Sequence, residues 1–123
     1  MIEVDKTVLI VEDSPATSNM LTHLFILRGF TVEAARHGLE ALDIMKRVTP
    51  DVIILDLMMP EMDGFKFCEN IRENENYKDI PIVILSALKK EKYMNKFGDV
   101  KIAGYIEKPF IGQELIDQVL KVL

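Results

Sequence analysis

Three short aliphatic runs constrain this chain more than any other feature: Thr7-Val8-Leu9-Ile10-Val11, Val52-Ile53-Ile54-Leu55-Asp56-Leu57 and Pro81-Ile82-Val83-Ile84-Leu85-Ser86. Each is shorter than an ordinary helix, and none alternates as a strand with one wet face would. They read as strands buried on both faces, which calls for a parallel sheet covered by helices on its two sides. Two more mixed runs, Thr31-Val32-Glu33-Ala34-Ala35 and Ile102-Ala103-Gly104-Tyr105-Ile106, complete a set of five. The first of these reads as an edge strand.

Helix signals fill the gaps. Ser14-Pro15 supplies an N-cap and a proline at the first helical position, followed by an apolar stripe of Met20, Leu21, Leu24, Phe25 and Leu27. Gly29 fits a left-handed C-terminal cap, with Phe30 folding back as its apolar contact. After Arg36-His37-Gly38 a second helix uses Leu39, Leu42, Met45 and Val48, and Thr49-Pro50-Asp51 stops it. A third uses Phe65, Cys68 and Ile71, and a polar connection from Asn74 to Asp79 follows. A basic fourth runs from Lys89 to Phe97 around Tyr93, Met94 and Phe97, and Gly98-Asp99 breaks it. The last places Leu115, Ile116, Val119, Leu120 and Leu123 on one face, and starts without a capping side chain at Ile111-Gly112. Strand and helix therefore alternate five times with short connections. The expected architecture is α/β, a (βα)5 parallel sheet with right-handed crossovers and helices on both faces, in a single domain over residues 1–123.

The net charge of −5 argues against a general nucleic-acid or anionic-membrane surface. No apolar run approaches the roughly 20 residues needed to span a bilayer. The N-terminus, Met1-Ile2-Glu3-Val4-Asp5-Lys6, is acidic where a secretory leader would be basic. The single cysteine, Cys68, falls on a helical stripe and reads as a buried thiol in a reducing compartment, so a cytoplasmic protein is expected.

In such sheets the functional crevice lies beyond the carboxyl ends of the strands. The polar residues at those ends are Glu12, Asp13, Asp56, Ser86 and Lys108. Three crowded carboxylates raise one another's pKa values, and a hard divalent cation such as Mg²⁺ resolves the conflict through oxygen ligands. Asp13 and Asp56 suit direct ligation, Glu12 a metal-bound water, and the Met58 backbone carbonyl completes the protein's share. With the metal, Lys108 and the Ser86 hydroxyl neutralising phosphoryl oxygens, Asp56 is placed as a nucleophile that forms an acyl phosphate. No glycine-rich nucleotide loop is present, so the donor is expected to be a separate phosphorylated molecule. A lone strand-end aspartate most often caps a turn; the alignment of Glu12-Asp13 and Lys108 on neighbouring strands favours chemistry. His23 and His37 read as surface residues. Met58, Met59 and Met62 stand in the loop after Asp56 as an adaptable docking surface.

Glu12-Asp13, Leu55-Asp56-Leu57-Met58-Met59-Pro60 with Asp63-Gly64, Ser86-Ala87 and Lys108-Pro109-Phe110 resemble, in order and spacing, the receiver domain of the two-component response-regulator family. The resemblance covers the whole chain. It implies a flavodoxin-like fold with strand order 2-1-3-4-5. It also implies Mg²⁺-dependent transfer to Asp56 from a phosphohistidine on a sensor histidine kinase or histidine phosphotransfer protein. A Ser86/Tyr105 switch would then reshape the surface of the fourth helix, fifth strand and fifth helix for a downstream protein partner or effector domain. Neither nucleic-acid contact nor membrane insertion is implied, nor enzymatic activity beyond the domain's own phosphorylation and dephosphorylation. The sequence departs from the family pattern in the segment 98–104 and in the lysines of its fourth helix, Lys89, Lys90, Lys92 and Lys96, which suit an acidic partner. Two other classes fit part of the pattern: a phosphorylation-independent adaptor, and a metal-dependent aspartyl phosphatase. The second would need an acid two residues after Asp56, where Met58 stands. A chain ending at Leu123 suits a stand-alone receiver or an excised one.

Overall fold

The computed structural model describes residues 5–57, 64–97 and 100–123, with only the backbone at 96 and 97. Five strands and five helices alternate: β1 (Thr7–Val11), α1 (Pro15–Ile26), β2 (Thr31–Ala35), α2 (Gly38–Met45), β3 (Val52–Leu55), α3 (Gly64–Glu73), β4 (Ile82–Ser86), α4 (Lys90–Phe97), β5 (Gly104–Glu107) and α5 (Gly112–Val122). The strands are all parallel, in the order β2-β1-β3-β4-β5. The fold is flavodoxin-like, with β2 at an edge as its mixed composition implies.

The continuous aliphatic runs divide between two cores. Val8, Ile10, Val52 and Ile54 face Leu21 and Phe25 of α1 and Leu115, Ile116 and Val119 of α5. Leu9, Val11, Ile53 and Leu55 face Ala41, Ile44 and Met45 of α2, Phe67, Cys68 and Ile71 of α3, and Tyr93 of α4. Burial of both strand faces makes the centre of the sheet stiff, and the site stands at the carboxyl ends of those central strands.

Helix starts and stops follow local chemistry. Ser14 Oγ accepts the Thr17 N–H at 3.3 Å. Gly29 takes the positive φ of 90° that ends α1, and the Phe30 ring packs edge-on against Phe25 at 5.1 Å. His37, expected at the surface, caps α2: its Nδ1 accepts the Glu40 N–H at 3.2 Å, while Glu40 Oε1 accepts the Arg36 N–H at 3.0 Å. Ile111 stands at the start of α5 with no side-chain cap, as its residue type requires.

Several helix faces differ from the expected stripes. Met20 and Leu27 of the first helix, Leu39, Met94, Leu120 and Leu123 are all exposed, and Ala41, Ile44 and Phe67 occupy the core instead. β5 begins two residues later than expected and runs through Glu107, because its pairing with β4 starts at Gly104 opposite Val83 and continues to Glu107 opposite Ser86. Residues 98 and 99 lie outside the described set. The rest of that segment is tied down by Arg72, whose guanidinium donates to Lys101 O and Ile80 O at 2.8 Å and to Lys78 O at 2.9 Å, and by Tyr93, whose hydroxyl donates to Val100 O at 3.1 Å.

Candidate functional site

Three site residues are each the first residue beyond a strand, and each remains pinned to its neighbour. Glu12 N–H donates to Ala35 O, Asp56 N–H to Val11 O and Lys108 N–H to Ser86 O, at 3.0, 3.0 and 2.8 Å. The parallel ladder thus continues one bond past the strands and leaves the three side chains at one end of the sheet. Glu12, Asp13 and Asp56 each offer a carboxylate oxygen, all within 4.8 Å of one another. Asp13 is exposed, whereas Glu12 and Asp56 are 3% and 7% exposed.

Lys108 compensates part of this charge. Its Nζ lies 2.6 Å from Glu12 Oε1 and 3.3 Å from Asp56 Oδ2. Glu12 also accepts the Ser14 N–H at 3.2 Å. Burial lifts the Glu12 carboxyl above its ordinary value, against the Lys108 and Ser14 bonds that favour its charged form. Burial works to lower Lys108, but Glu12 and Asp56 outweigh it and hold the ammonium above its ordinary value. Glu12, which the sequence suits to a metal-bound water, takes in this structure the ammonium of Lys108, 96 residues away. The Met58 carbonyl, with Met59 and Met62, lies outside the described residues.

Gly64 begins α3 and lies against the backbone that carries Asp56. Its N–H donates to Leu57 O at 2.9 Å. A Cβ at this position would stand 2.4 Å from Leu57 Cα and 3.0 Å from Asp56 O, so only glycine lets α3 return this close to the backbone.

Ser86 and Tyr105 are joined through one residue. The Ser86 hydroxyl, fully buried, accepts the Leu88 N–H at 3.2 Å, and the Tyr105 hydroxyl donates to Leu88 O at 2.5 Å. The Tyr105 ring tilts against buried Tyr93 at 5.5 Å, and Tyr93 stacks on Phe65 at 5.7 Å. Burial pushes both the Tyr93 and Tyr105 phenols up to about 12. Sequence reasoning missed Leu88's main-chain part and the aromatic contact between α3, α4 and β5, since neither has a local signature.

An all-oxygen donor set fits a hard cation, and the lysine beside it fits an anionic group. The family model for the response regulator receiver domain matches residues 8–120. The DNA-binding dual master transcriptional regulator RpaA of Synechocystis is 33% identical over 116 residues, covering 94% of this chain and 48% of RpaA. The chain spans about half the length of the curated regulators it matches here. Chemotaxis protein CheY4 of Vibrio cholerae superposes with a TM-score of 0.90 at 33% identity, over 98% of this chain and all of that one. Response regulator TrrA of Thermotoga maritima, solved in complex with Mg²⁺-BeF, superposes with a TM-score of 0.84 at 30% identity over 96% of this chain and 99% of its own.

Proposed function

Since this chain belongs to the response-regulator receiver family, we propose that Asp56 is its phosphoacceptor and that a phosphohistidine on a sensor histidine kinase or histidine phosphotransfer protein is the donor. The observation that carries this is the meeting of Asp56 with Glu12 and Asp13 within 4.8 Å, beside the Lys108 ammonium. A carboxylate with an acidic cation site on one side and a lysine on the other is suited to phosphoryl transfer.

An Asp56 oxygen forms the new bond to phosphorus as the bond to the imidazole nitrogen breaks. The electron pair stays with the imidazole, and the product is an acyl phosphate. Asp13 and Asp56 would hold Mg²⁺ directly, with Glu12 through a water and Met58 through its carbonyl. Bound there, the ion supplies neutralising charge for phosphoryl oxygens. Lys108 turns from Glu12 and Asp56 to a phosphoryl oxygen, exchanging one set of charge-assisted bonds for another. Ser86 already accepts a bond from Leu88, so its own O–H remains available to donate to a second phosphoryl oxygen.

Drawing Ser86 toward the phosphoryl group loosens Leu88, and Tyr105 holds that same residue from β5. The change at the site thereby reaches the start of α4 and biases a two-state surface for a downstream protein partner or effector domain. The domain acts as an acceptor whose only turnover is of its own phosphoryl group. No described helix is long and apolar enough to cross a membrane, and a reducing, cytoplasmic setting suits the buried thiol of Cys68.

Incubation with acetyl phosphate and Mg²⁺ should add the mass of one phosphoryl group to the wild type and none to Asp56→Asn. An unchanged wild-type mass would move the chain to the phosphorylation-independent adaptors.

A further inference from the structure

The α4 helix begins without a capping side chain of its own. Lys89 precedes its first residue, and a lysine offers only donors. Lys89 O takes the Tyr93 N–H at 3.2 Å, which marks Lys89 as the residue at the cap position. The first N–H groups of a helix need acceptors from elsewhere. One comes from β5, 17 residues onward: Glu107 Oε2 accepts the Lys90 N–H at 3.1 Å. Its other oxygen, Oε1, lies 3.2 Å from Lys89 Nζ. A single carboxylate thus performs, from another element, the work of an N-cap, and its negative charge suits the helix end it faces.

Glu107 also has a particular place beside the site. It pairs with Ser86 in the β4–β5 register. The next residue, Lys108, carries the ammonium bound to Glu12 and Asp56. Adjacent residues at the end of β5 therefore hold two different things, one the carboxylate cluster and the other the first turn of α4. Any shift of this backbone that accompanies movement of Lys108 also moves the cap. The Tyr105 bond to Leu88 does not duplicate this link, because it grips the segment ahead of the helix rather than the helix's own first turn.

We propose that Glu107 is a positioning residue that couples the state of Lys108 to the start of α4, so that the helix follows the site in full only while the Glu107 oxygen caps Lys90, the Leu88 route alone carrying part of the response. The inference rests on the phosphoryl-site reading of Asp56 and Lys108.

Backbone amide shifts of ¹⁵N-labelled protein, recorded before and after adding beryllofluoride with Mg²⁺, test it. In the wild type the amides of Ser86, Lys108 and Lys90 to Met94 should all move. In Glu107→Ala the Ser86 and Lys108 amides should still move, while the Lys90 to Met94 displacements fall about two-fold or more. Glu107→Asp keeps the charge but ends one methylene short of the Lys90 N–H, and should change in the same direction. Glu107→Gln keeps an acceptor oxygen and should recover the wild-type response, and Lys89→Gln should leave it intact. An α4 response in Glu107→Ala equal to the wild type would overturn the coupling, as would Glu107→Gln behaving like Glu107→Ala. A wild type whose Ser86 and Lys108 amides fail to move would instead refute the phosphoryl-site reading, and this coupling with it.

Discussion

The Lys108 ammonium is held more closely by Glu12, at 2.6 Å, than by the proposed phosphoacceptor Asp56, at 3.3 Å. Glu12 therefore keeps the lysine beside Asp56 without surrendering it to Asp56 entirely. A phosphoryl group on Asp56 would compete with Glu12 for the same ammonium, and the buried carboxyl left behind is one whose charge the interior already resists.

Removing the lysine tests that balance. Lys108→Ala leaves Glu12 and Asp56 facing each other without their shared cation. Breaking a largely buried ion pair should lower stability by about 2 kcal/mol at neutral pH in metal-free buffer, discounted for the partial exposure of Lys108. Urea unfolding measures it. A loss under about 0.5 kcal/mol would mean that the pair is no stronger than a surface one.

Two glycines should respond very differently to alanine. At Gly64 the new Cβ meets backbone, 2.4 Å from Leu57 Cα and 3.0 Å from Asp56 O, so the start of α3 or the Asp56–Leu57 backbone must shift. At Gly104 its one close approach is to the end of the Gln118 side chain, at 2.9 Å, which can turn aside, while Val83 Cγ1 stands at an ordinary 3.7 Å. Gly64→Ala should cost about 2–3 kcal/mol and impair phosphorylation, whereas Gly104→Ala should stay within about 0.5 kcal/mol of the wild type. Equal effects in denaturant titrations would contradict the close approach at Gly64.

The strands could be read from the sequence because burial on both faces leaves a continuous aliphatic run, as in β3 and β4. That Glu12, Asp56 and Ser86 gather at one end of the sheet could be expected because each follows or closes such a run; Lys108 follows the mixed fifth strand, where that signal is weaker. Helix faces were less legible. α1 carries apolar residues nearly all round, so Met20 and Leu27 looked as core-like as Leu21 and Phe25, and only the sheet's position decides between them. In α2 the same uncertainty favoured Leu39 over the smaller Ala41. β5 runs from Gly104 to Glu107 rather than from Ile102 to Ile106: Ile102 has a strand-like side chain and Glu107 does not, but the pairing is set by the β4 ladder. The Glu12–Lys108 pair and the Glu107 cap join residues far apart in the chain, and no local pattern announces either.

Acid should weaken the Glu107 interaction selectively. The Lys90 N–H, then the Lys89 ammonium, hold this carboxyl below its ordinary value of 4.5. A folded-state pKa below the unfolded one adds stability that is present above the unfolded value and lost as pH falls through the folded value. The difference in thermal midpoint between wild type and Glu107→Gln should therefore be full at neutral pH and fade below about pH 4. A difference unchanged between neutral pH and about pH 3 would show that the charge contributes nothing.

Phosphoryl lifetime should depend on Leu88 and Met58, each two residues beyond a site residue. Leu88 is half-buried two residues beyond Ser86 and Met58 lies outside the described residues; bulky apolar side chains at these two sequence positions would hinder an attacking water. Replacing both with polar residues should speed loss of the aspartyl phosphate by about tenfold, on the order of 1.4 kcal/mol in barrier. Unchanged decay in the double variant would remove these side chains from any role in persistence.

Chemical mapping of the acceptor bears most directly on the central claim. After phosphorylation with acetyl phosphate and Mg²⁺, borohydride reduction converts an aspartyl phosphate to homoserine, which tandem mass spectrometry locates. Homoserine at position 56, and at no other aspartate, is the expected result. Reduction at Asp13, or no modified residue in a folded, Mg²⁺-supplied sample, would contradict Asp56 as the phosphoacceptor.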